Sequence, residues 1–234
     1  VSEEAKSVLG AASAPPIKLV TIGSGEKQVS IGEENVLFRH EEKFYNPTGV
    51  AITLSDDLDD EAFNERLKKI NALKFTRVGT EIEIDLIALQ NNSGDASKFA
   101  ERAKNVSDNT HLSIILESKS ADNMKAALGT CADKKPLIYG ANAENWEAMA
   151  TIAKEKNCPM TISAPTLEEL ADLTEKIKGA GVTEIVLNQV SESTKEILQG
   201  LTKIRRAALK KAFRQLGFPA LTYMPNGNPI QEIA

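Results

Sequence analysis

From Gly49 onward, seven short apolar runs rich in β-branched residues recur along the chain, at 50–54, 84–89, 112–116, 137–139, 160–162, 184–187 and 220–223. An amphipathic stretch separates each run from the next. That alternation leaves few folds open. Runs this short suit strands, and their recurrence every roughly 25 to 35 residues is the period of a βα unit. Most are apolar at consecutive rather than alternate positions, which marks strands buried on both faces in a parallel sheet covered by helices. Between them, helical spacing aligns Phe63, Leu67 and Ile70 on one face, Phe99, Ala103 and Val106 on a second, and Trp146, Met149 and Ala153 on a third. Thr166 and Glu169 form a capping box that opens a helix with Leu167, Leu170 and Ile177 on its inner side. A barrel and a doubly wound open sheet share these signals. The regular spacing and the lack of a glycine fingerprint favour an α/β fold of the (β/α)8 TIM-barrel type. With seven units counted, the barrel is incomplete and two strand edges lack partners.

The residues ahead of Gly49 follow another rule. Residues 1–16 read as a short helix running through small residues into Pro15-Pro16, a linker from a preceding domain. Residues 17–48 read as a small antiparallel β meander. In it, the apolar run 17–22, a turn over Gly23-Ser24-Gly25-Glu26-Lys27, a returning run 28–31 and a third run 36–38 follow one another. The barrel then occupies 49–234. A helical stretch begins near Pro229, and the eighth unit is expected beyond this chain. The first residue is valine rather than methionine, which agrees with a piece of a longer protein. Neither a spanning apolar run nor a basic, apolar leader is present, so the expected address is the cytoplasm with no membrane partner.

Candidate chemistry is sparse. The glycines at 23 and 25 lack phosphate-loop spacing and feed a strand, so they read as a turn. His40 and His111 have no second ligand at metal-binding spacing. Cys131 and Cys158 are too few for an iron-sulfur cluster, which takes four thiolates, and read as buried thiols. In a barrel, chemistry gathers where strands end at their carboxyl side. There the chain offers Ser55, Asp56, Asp57, Asn91, Asn92, Glu117, Ser118, Asn142, Ser163, Asn188, Gln189 and Asn226. Amides of this kind suit a heterocycle, which makes a pterin-binding barrel methyltransferase using Asp56, Asn91, Asn142 and Asn188 the alternative reading. Capping of the helices that start there is the competing role. Finally, Lys203, Arg205, Arg206, Lys210, Lys211 and Arg214 are six cations without an intervening acid in a chain of net charge −5. On a helix, Arg206, Lys210 and Arg214 would share one strip, with Ile204, Ala208 and Ala212 on another. Arg205, Arg206, Lys210, Lys211 and Arg214 are therefore candidates for docking an acidic partner. The acidic balance and the lack of interleaved aromatics argue against nucleic acid.

Several segments, in order, carry a resemblance: Leu37-Phe38-Arg39-His40-Glu41 with Phe44-Tyr45, Ala51-Ile52 with Ser55-Asp56, Asp133-Lys134-Lys135-Pro136-Leu137-Ile138-Tyr139, Lys154-Glu155-Lys156-Asn157-Cys158-Pro159, and Thr202-Lys203-Ile204-Arg205-Arg206 through Phe213-Arg214 with Gly217-Phe218-Pro219. Together they resemble the large subunit of the corrinoid iron-sulfur protein, the gamma subunit of the acetyl-CoA decarbonylase/synthase system. The resemblance spans nearly the whole chain. It implies a central TIM barrel between an amino-terminal [4Fe-4S] domain and a carboxyl-terminal cobalamin domain, both outside these residues. It implies methyl carriage from a methyltetrahydrofolate or methanopterin-type methyltransferase to acetyl-CoA synthase in the reductive acetyl-CoA pathway. The implied partners are a small-subunit TIM barrel, as a heterodimer, and those two enzymes transiently. On that resemblance this span is scaffold and interface, and no catalytic, cofactor-binding or metal residue is expected in it.

Overall fold

The computed structural model describes residues 2, 5, 6, 9, 10, 13–35, 46–191 and 193–224. Ten strands are labelled in chain order, of which β3 (Ala51–Ser55), β6 (Leu86–Gln90), β7 (Ser113–Glu117), β8 (Leu137–Ala141), β9 (Met160–Ala164) and β10 (Ile185–Gln189) form one parallel sheet. Its order is β3-β6-β7-β8-β9-β10, each strand beside the sheet's next strand in chain order. A doubly wound sheet must reverse direction at a switch point. Here no reversal occurs, so the winding is that of a barrel. The crossovers are α1 (Asp60–Asn71), α2 (Ala96–Asn109), α3 (Ala121–Cys131), α4 (Trp146–Lys156) and α5 (Leu167–Gly179), with α6 (Thr194–Lys211) following β10.

The two faces of the strands separate into two apolar clusters. Ile87, Leu89, Ile114, Leu116, Ile138, Met160, Ile162, Ile185 and Leu187 pack under the helices with Phe63, Phe99, Met124, Met149 and Leu170. The alternate residues Leu86, Ala88, Ile115, Leu137 and Val186 pack inside the curve of the sheet, against no helix. This inner cluster is completed by Val20 and Ile22 of β1 (Val20–Ile22), which pairs antiparallel with β2 (Val29–Ile31). The β1–β2 hairpin therefore plugs the amino-terminal end of the barrel. Ser113 pins it there, its Oγ donating to Ile22 O at 3.2 Å and Lys27 O at 2.9 Å.

The fold is thus an incomplete (β/α)8 barrel preceded by a small antiparallel pair. The run at 220–223 contributes one parallel bridge, Ala220 to Leu187, rather than a full strand. Leu187 N donates to Pro219 O and Leu221 N to Leu187 O, each at 2.8 Å, so the segment takes the seventh position with a ladder on one side only. The run at 36–38, His40, Asn226 and the helical stretch near 229 lie outside the described residues. One element escaped the sequence reading: a second hairpin, β4 (Lys74–Arg77) with β5 (Thr80–Glu83), between α1 and β6.

Cys131 and Cys158 are buried and reduced in the helix-facing core. Burial pushes the Cys131 thiol up to about 12 and the Cys158 thiol up to about 11, so both stay protonated at neutral pH. Among the described residues no helix is long and apolar enough to cross a membrane.

Candidate functional site at the barrel mouth

Helix starts and strand ends meet at the carboxyl-terminal rim, and most of its polar residues are used there. Asp59, Asp95, Ser120 and Thr166 each accept a hydrogen bond from a first-turn backbone N–H of α1, α2, α3 and α5 respectively. Such caps contribute about 1 kcal/mol apiece. Of the expected Thr166–Glu169 capping box the first bond forms, Glu169 N donating to Thr166 Oγ1 at 3.2 Å, while the Glu169 carboxylate accepts from the Thr166 hydroxyl at 3.1 Å rather than from its backbone N–H.

Asp56, fully buried, is the hub of the first two loops. Its Oδ1 accepts from Ser93 N at 2.8 Å, and its Oδ2 accepts from Asn91 Nδ2 at 2.8 Å and from Ser93 Oγ at 2.6 Å. Asn91 passes the network on, its Oδ1 accepting from Asn123 Nδ2 at 2.7 Å and Ser118 Oγ at 3.1 Å. One connected set of side chains thereby ties the loops after β3, β6 and β7 together.

Inside the rim a second network forms from the inward-facing residues one layer above the inner apolar cluster. Gln90 Nε2 and Tyr223 Oη both donate to Glu117 Oε2, at 2.9 and 2.6 Å. Asn188 Nδ2 donates to Tyr139 Oη at 2.7 Å and Ser163 Oγ at 3.2 Å. The Tyr139 and Tyr223 rings meet edge to face, 5.4 Å between centroids. Burial holds the Tyr139 phenol up at about 12, and burial together with the neighbouring Glu117 raises that of Tyr223. Both phenols therefore stay protonated at neutral pH, Tyr223 donating to Glu117 and Tyr139 accepting from Asn188. A cavity of about 390 Å³ opens beside these networks, lined by Gln90, Asn92, Glu117, Lys119 and Asn123 among others.

The four residues of the pterin alternative are not gathered into one site. Asp56 and Asn91 bind each other, Asn188 belongs to the inner network, and Asn142 closes its own loop, its Oδ1 accepting from Glu144 N at 2.8 Å and Asn145 N at 3.3 Å. Among the described residues, no group of three or more His, Cys, Asp or Glu side chains is placed to hold a metal ion. Two protonated core thiols do not fit an iron-sulfur cluster either. The sequence reading missed Gln90, Tyr139 and Tyr223, although each lies two residues beyond an inward apolar residue, Ala88, Leu137 and Leu221.

The cationic segment divides in two. Arg205 pairs with Glu34, and Arg214 donates through Nη1 to Ala14 O and Pro15 O at 3.1 and 3.0 Å. Arg214, just past the last helix, holds the amino-terminal strap, and Arg205 on that helix holds the segment after β2, where Glu34 bridges to Ile17. Arg206, Lys210 and Lys211 are exposed on the outer face of α6, as is Lys203. Ile204 and Ala208 are buried as expected. The expected strip does not reach Arg214, because Ala212 takes a left-handed φ of 49° and stops the helix at Lys211.

Comparison with known proteins gives a consistent result. A family model described as CO dehydrogenase/acetyl-CoA synthase delta subunit matches residues 19–234. The chain is 40% identical over 233 residues to a corrinoid/iron-sulfur protein large subunit of Moorella thermoacetica, covering 100% of this chain and 52% of that one. It is 36% identical over 227 residues to an acetyl-CoA decarbonylase/synthase complex subunit gamma of Methanothermobacter thermautotrophicus, covering 93% of this chain and 49% of that one. The chain thus spans about half the length of these relatives. Among solved structures, 7,8-dihydropteroate synthase of Vibrio fischeri is similar with a TM-score of 0.55 at 14% identity, covering 86% of this chain and 77% of that one. At that identity the likeness is one of fold.

Proposed function

The chain belongs to the CO dehydrogenase/acetyl-CoA synthase delta subunit family, and from that membership we propose that it is the scaffold barrel of a corrinoid iron-sulfur protein large subunit. The observation that carries this reading is 40% identity to such a subunit along the full chain. The whole protein would carry a methyl group from a methyltetrahydrofolate- or methanopterin-dependent methyltransferase to acetyl-CoA synthase, in the cytoplasm. Cobalamin and the [4Fe-4S] cluster would be held by the portions of the longer protein on either side of this span, and the eighth βα unit would follow Ala234. A small-subunit barrel would be the stable partner, with methyltransferase and acetyl-CoA synthase binding transiently.

What this chain's own residues supply on that reading is rigidity. The Asp56 and Glu117 networks fix the rim, the β1–β2 plug fixes the base, Arg214 fixes the incoming strap and Arg205 the segment after β2. The test is cobalamin and methyltetrahydrofolate titration by calorimetry against residues 1–234 and against the full-length protein. Stoichiometric cobalamin binding is expected with the full-length protein alone. Tight cobalamin binding by residues 1–234 would overturn the scaffold role, and heat from methyltetrahydrofolate on that folded span would favour the pterin-binding alternative.

The outer face of α6 is the proposed seat of an acidic partner. Reversing Arg206, Lys210 and Lys211 to glutamate together should weaken association with the transient enzymes, and the difference from wild type should shrink as salt rises toward 0.5 M. Equal affinities at low salt, measured by surface plasmon resonance, would remove this face from the interface.

A further inference from the structure

The side chain of Tyr223 fills the centre of the barrel mouth, the end at which barrels of this kind bind their ligands. Along the sheet, Glu117 ends the third strand, Tyr139 lies on the fourth, Asn188 on the sixth and Tyr223 on the segment in the seventh position. In a barrel of eight positions the third and the seventh are opposed. The 2.6 Å bond from Tyr223 Oη to Glu117 Oε2 therefore crosses the axis. Main-chain bonding does not account for this placement. After Leu221 N, bonded to Leu187 O at 2.8 Å, no main-chain hydrogen bond joins residues 222–224 to the sheet among the described residues, so Tyr223 is held by its side chain.

The contacts of that ring are those that hold a bound aromatic molecule. Glu117 supplies a charged acceptor already oriented by Gln90 Nε2 at 2.9 Å, Tyr139 supplies an aromatic wall fixed by Asn188, and the inner apolar cluster supplies a floor. Burial and the neighbouring Glu117 raise the Tyr223 phenol above its ordinary range, so the carboxylate receives a neutral O–H.

Two further observations mark a site rather than plain core. Gln90 and Glu117 also line the cavity of about 390 Å³, so removing the ring would join its volume to a space already open at the rim. Thr161, fully buried and in register with Tyr139 and Val186, faces the same interior with a hydroxyl that has no partner among the described residues. A closed core seldom leaves such a group over.

We propose that the centre of the barrel mouth is a binding site for a neutral, phenol-sized aromatic ring carrying an O–H or N–H donor, and that Tyr223 fills it from within the chain as an autoinhibitory occupant. The scaffold reading does not require such a site and does not fall with it. Entry needs residues 222–224 to swing off the mouth. Glu117 then keeps Gln90 as a donor, and the incoming donor replaces the phenol. The carboxylate repels anions, and a ring without a donor leaves it one bond short.

The test uses the full-length protein and calorimetric titration with p-cresol, the tyrosine side chain as a free molecule, beside toluene and 4-methylbenzoate. Tyr223→Gly, which deletes the ring, should bind one equivalent of p-cresol and no 4-methylbenzoate. Its p-cresol affinity should exceed that for toluene at least about tenfold, as one hydrogen bond to a charged acceptor requires. Bound p-cresol should also raise its thermal midpoint. Wild type and Tyr223→Phe, which keep the ring, should bind p-cresol at least about tenfold more weakly than Tyr223→Gly, because the occupant must first leave. Equal p-cresol affinity in wild type and Tyr223→Gly would show that the ring is not the occupant. A folded Tyr223→Gly that takes up no p-cresol would remove the site, and equal uptake of p-cresol and toluene would overturn its ligand class. Should Tyr223→Gly not fold, Tyr223→Ala is titrated in its place. Failure of both to fold, even with p-cresol present, would make the ring core and overturn the proposal.

Discussion

Asp56→Ala should lower the unfolding free energy of this chain by about 3–5 kcal/mol, because several buried hydrogen bonds to one shared acceptor are lost together. Three donors lose their acceptor at once: Asn91 Nδ2, Ser93 N and Ser93 Oγ. A buried donor left unmatched costs about 1–3 kcal/mol, and these three share one hub, so the losses will not simply add. Asp56→Asn is the informative companion. Its Oδ1 can still accept from Ser93 N, but its NH2 meets two donors where the carboxylate oxygen met them as an acceptor. It should therefore recover less than half of the loss. Urea unfolding followed by circular dichroism, with the slope checked for constancy, measures both. A loss below about 1 kcal/mol for Asp56→Ala would mean that water replaces the carboxylate and that the rim is not braced as described.

Gly140→Ala should be nearly as damaging, at about 2–5 kcal/mol, through backbone rather than charge. Gly140 lies within β8 with a φ of 130°, a conformation that L side chains rarely adopt. A Cβ there would run into the Ser118 carbonyl oxygen at the end of β7. Conformational strain of about 1–2 kcal/mol combines with about 1–3 kcal/mol of overpacking. The same residue coincides with the shift of the β8–β9 register between Tyr139 and Ala141. Forcing the backbone flat would thus also misplace Tyr139, and the substitution should reduce the near-ultraviolet tyrosine dichroism in the folded state. A Gly140→Ala variant with wild-type midpoint would show that β7 and β8 can separate at no cost.

Strand positions and helix faces were readable in the sequence because burial imposes a period. Phe63, Leu67 and Ile70 repeat as a helix must, and residues 86–89 and 114–116 are apolar on both faces because one side meets helices and the other the barrel interior. Regular spacing and the missing glycine fingerprint favoured a barrel over an open sheet, but periodicity alone could not separate them, since the choice depends on where each strand settles after its crossover, which the strand order shows. The β4–β5 hairpin escaped because Lys74, Thr76, Arg77, Glu81 and Glu83 dilute its apolar residues, and a hairpin standing in water shows no buried face. The cationic strip was overextended because nothing about alanine announces that Ala212 will turn left-handed. At the mouth, Asp56, Asn91, Glu117 and Asn188 were recognisable as rim residues. Their partners were not, because hydrogen-bond pairing across 27 to 106 positions has no local signature.

The base plug has a temporal consequence. Val20 and Ile22 leave the ribosome ahead of the barrel strands they seal, and Ser113, which fixes Ile22, follows 91 positions later. At ordinary rates of synthesis that interval is on the order of ten seconds. For that time a β-prone apolar segment has no seat, and completion of the cylinder depends on its late capture, a high-separation closure of the kind that slows folding.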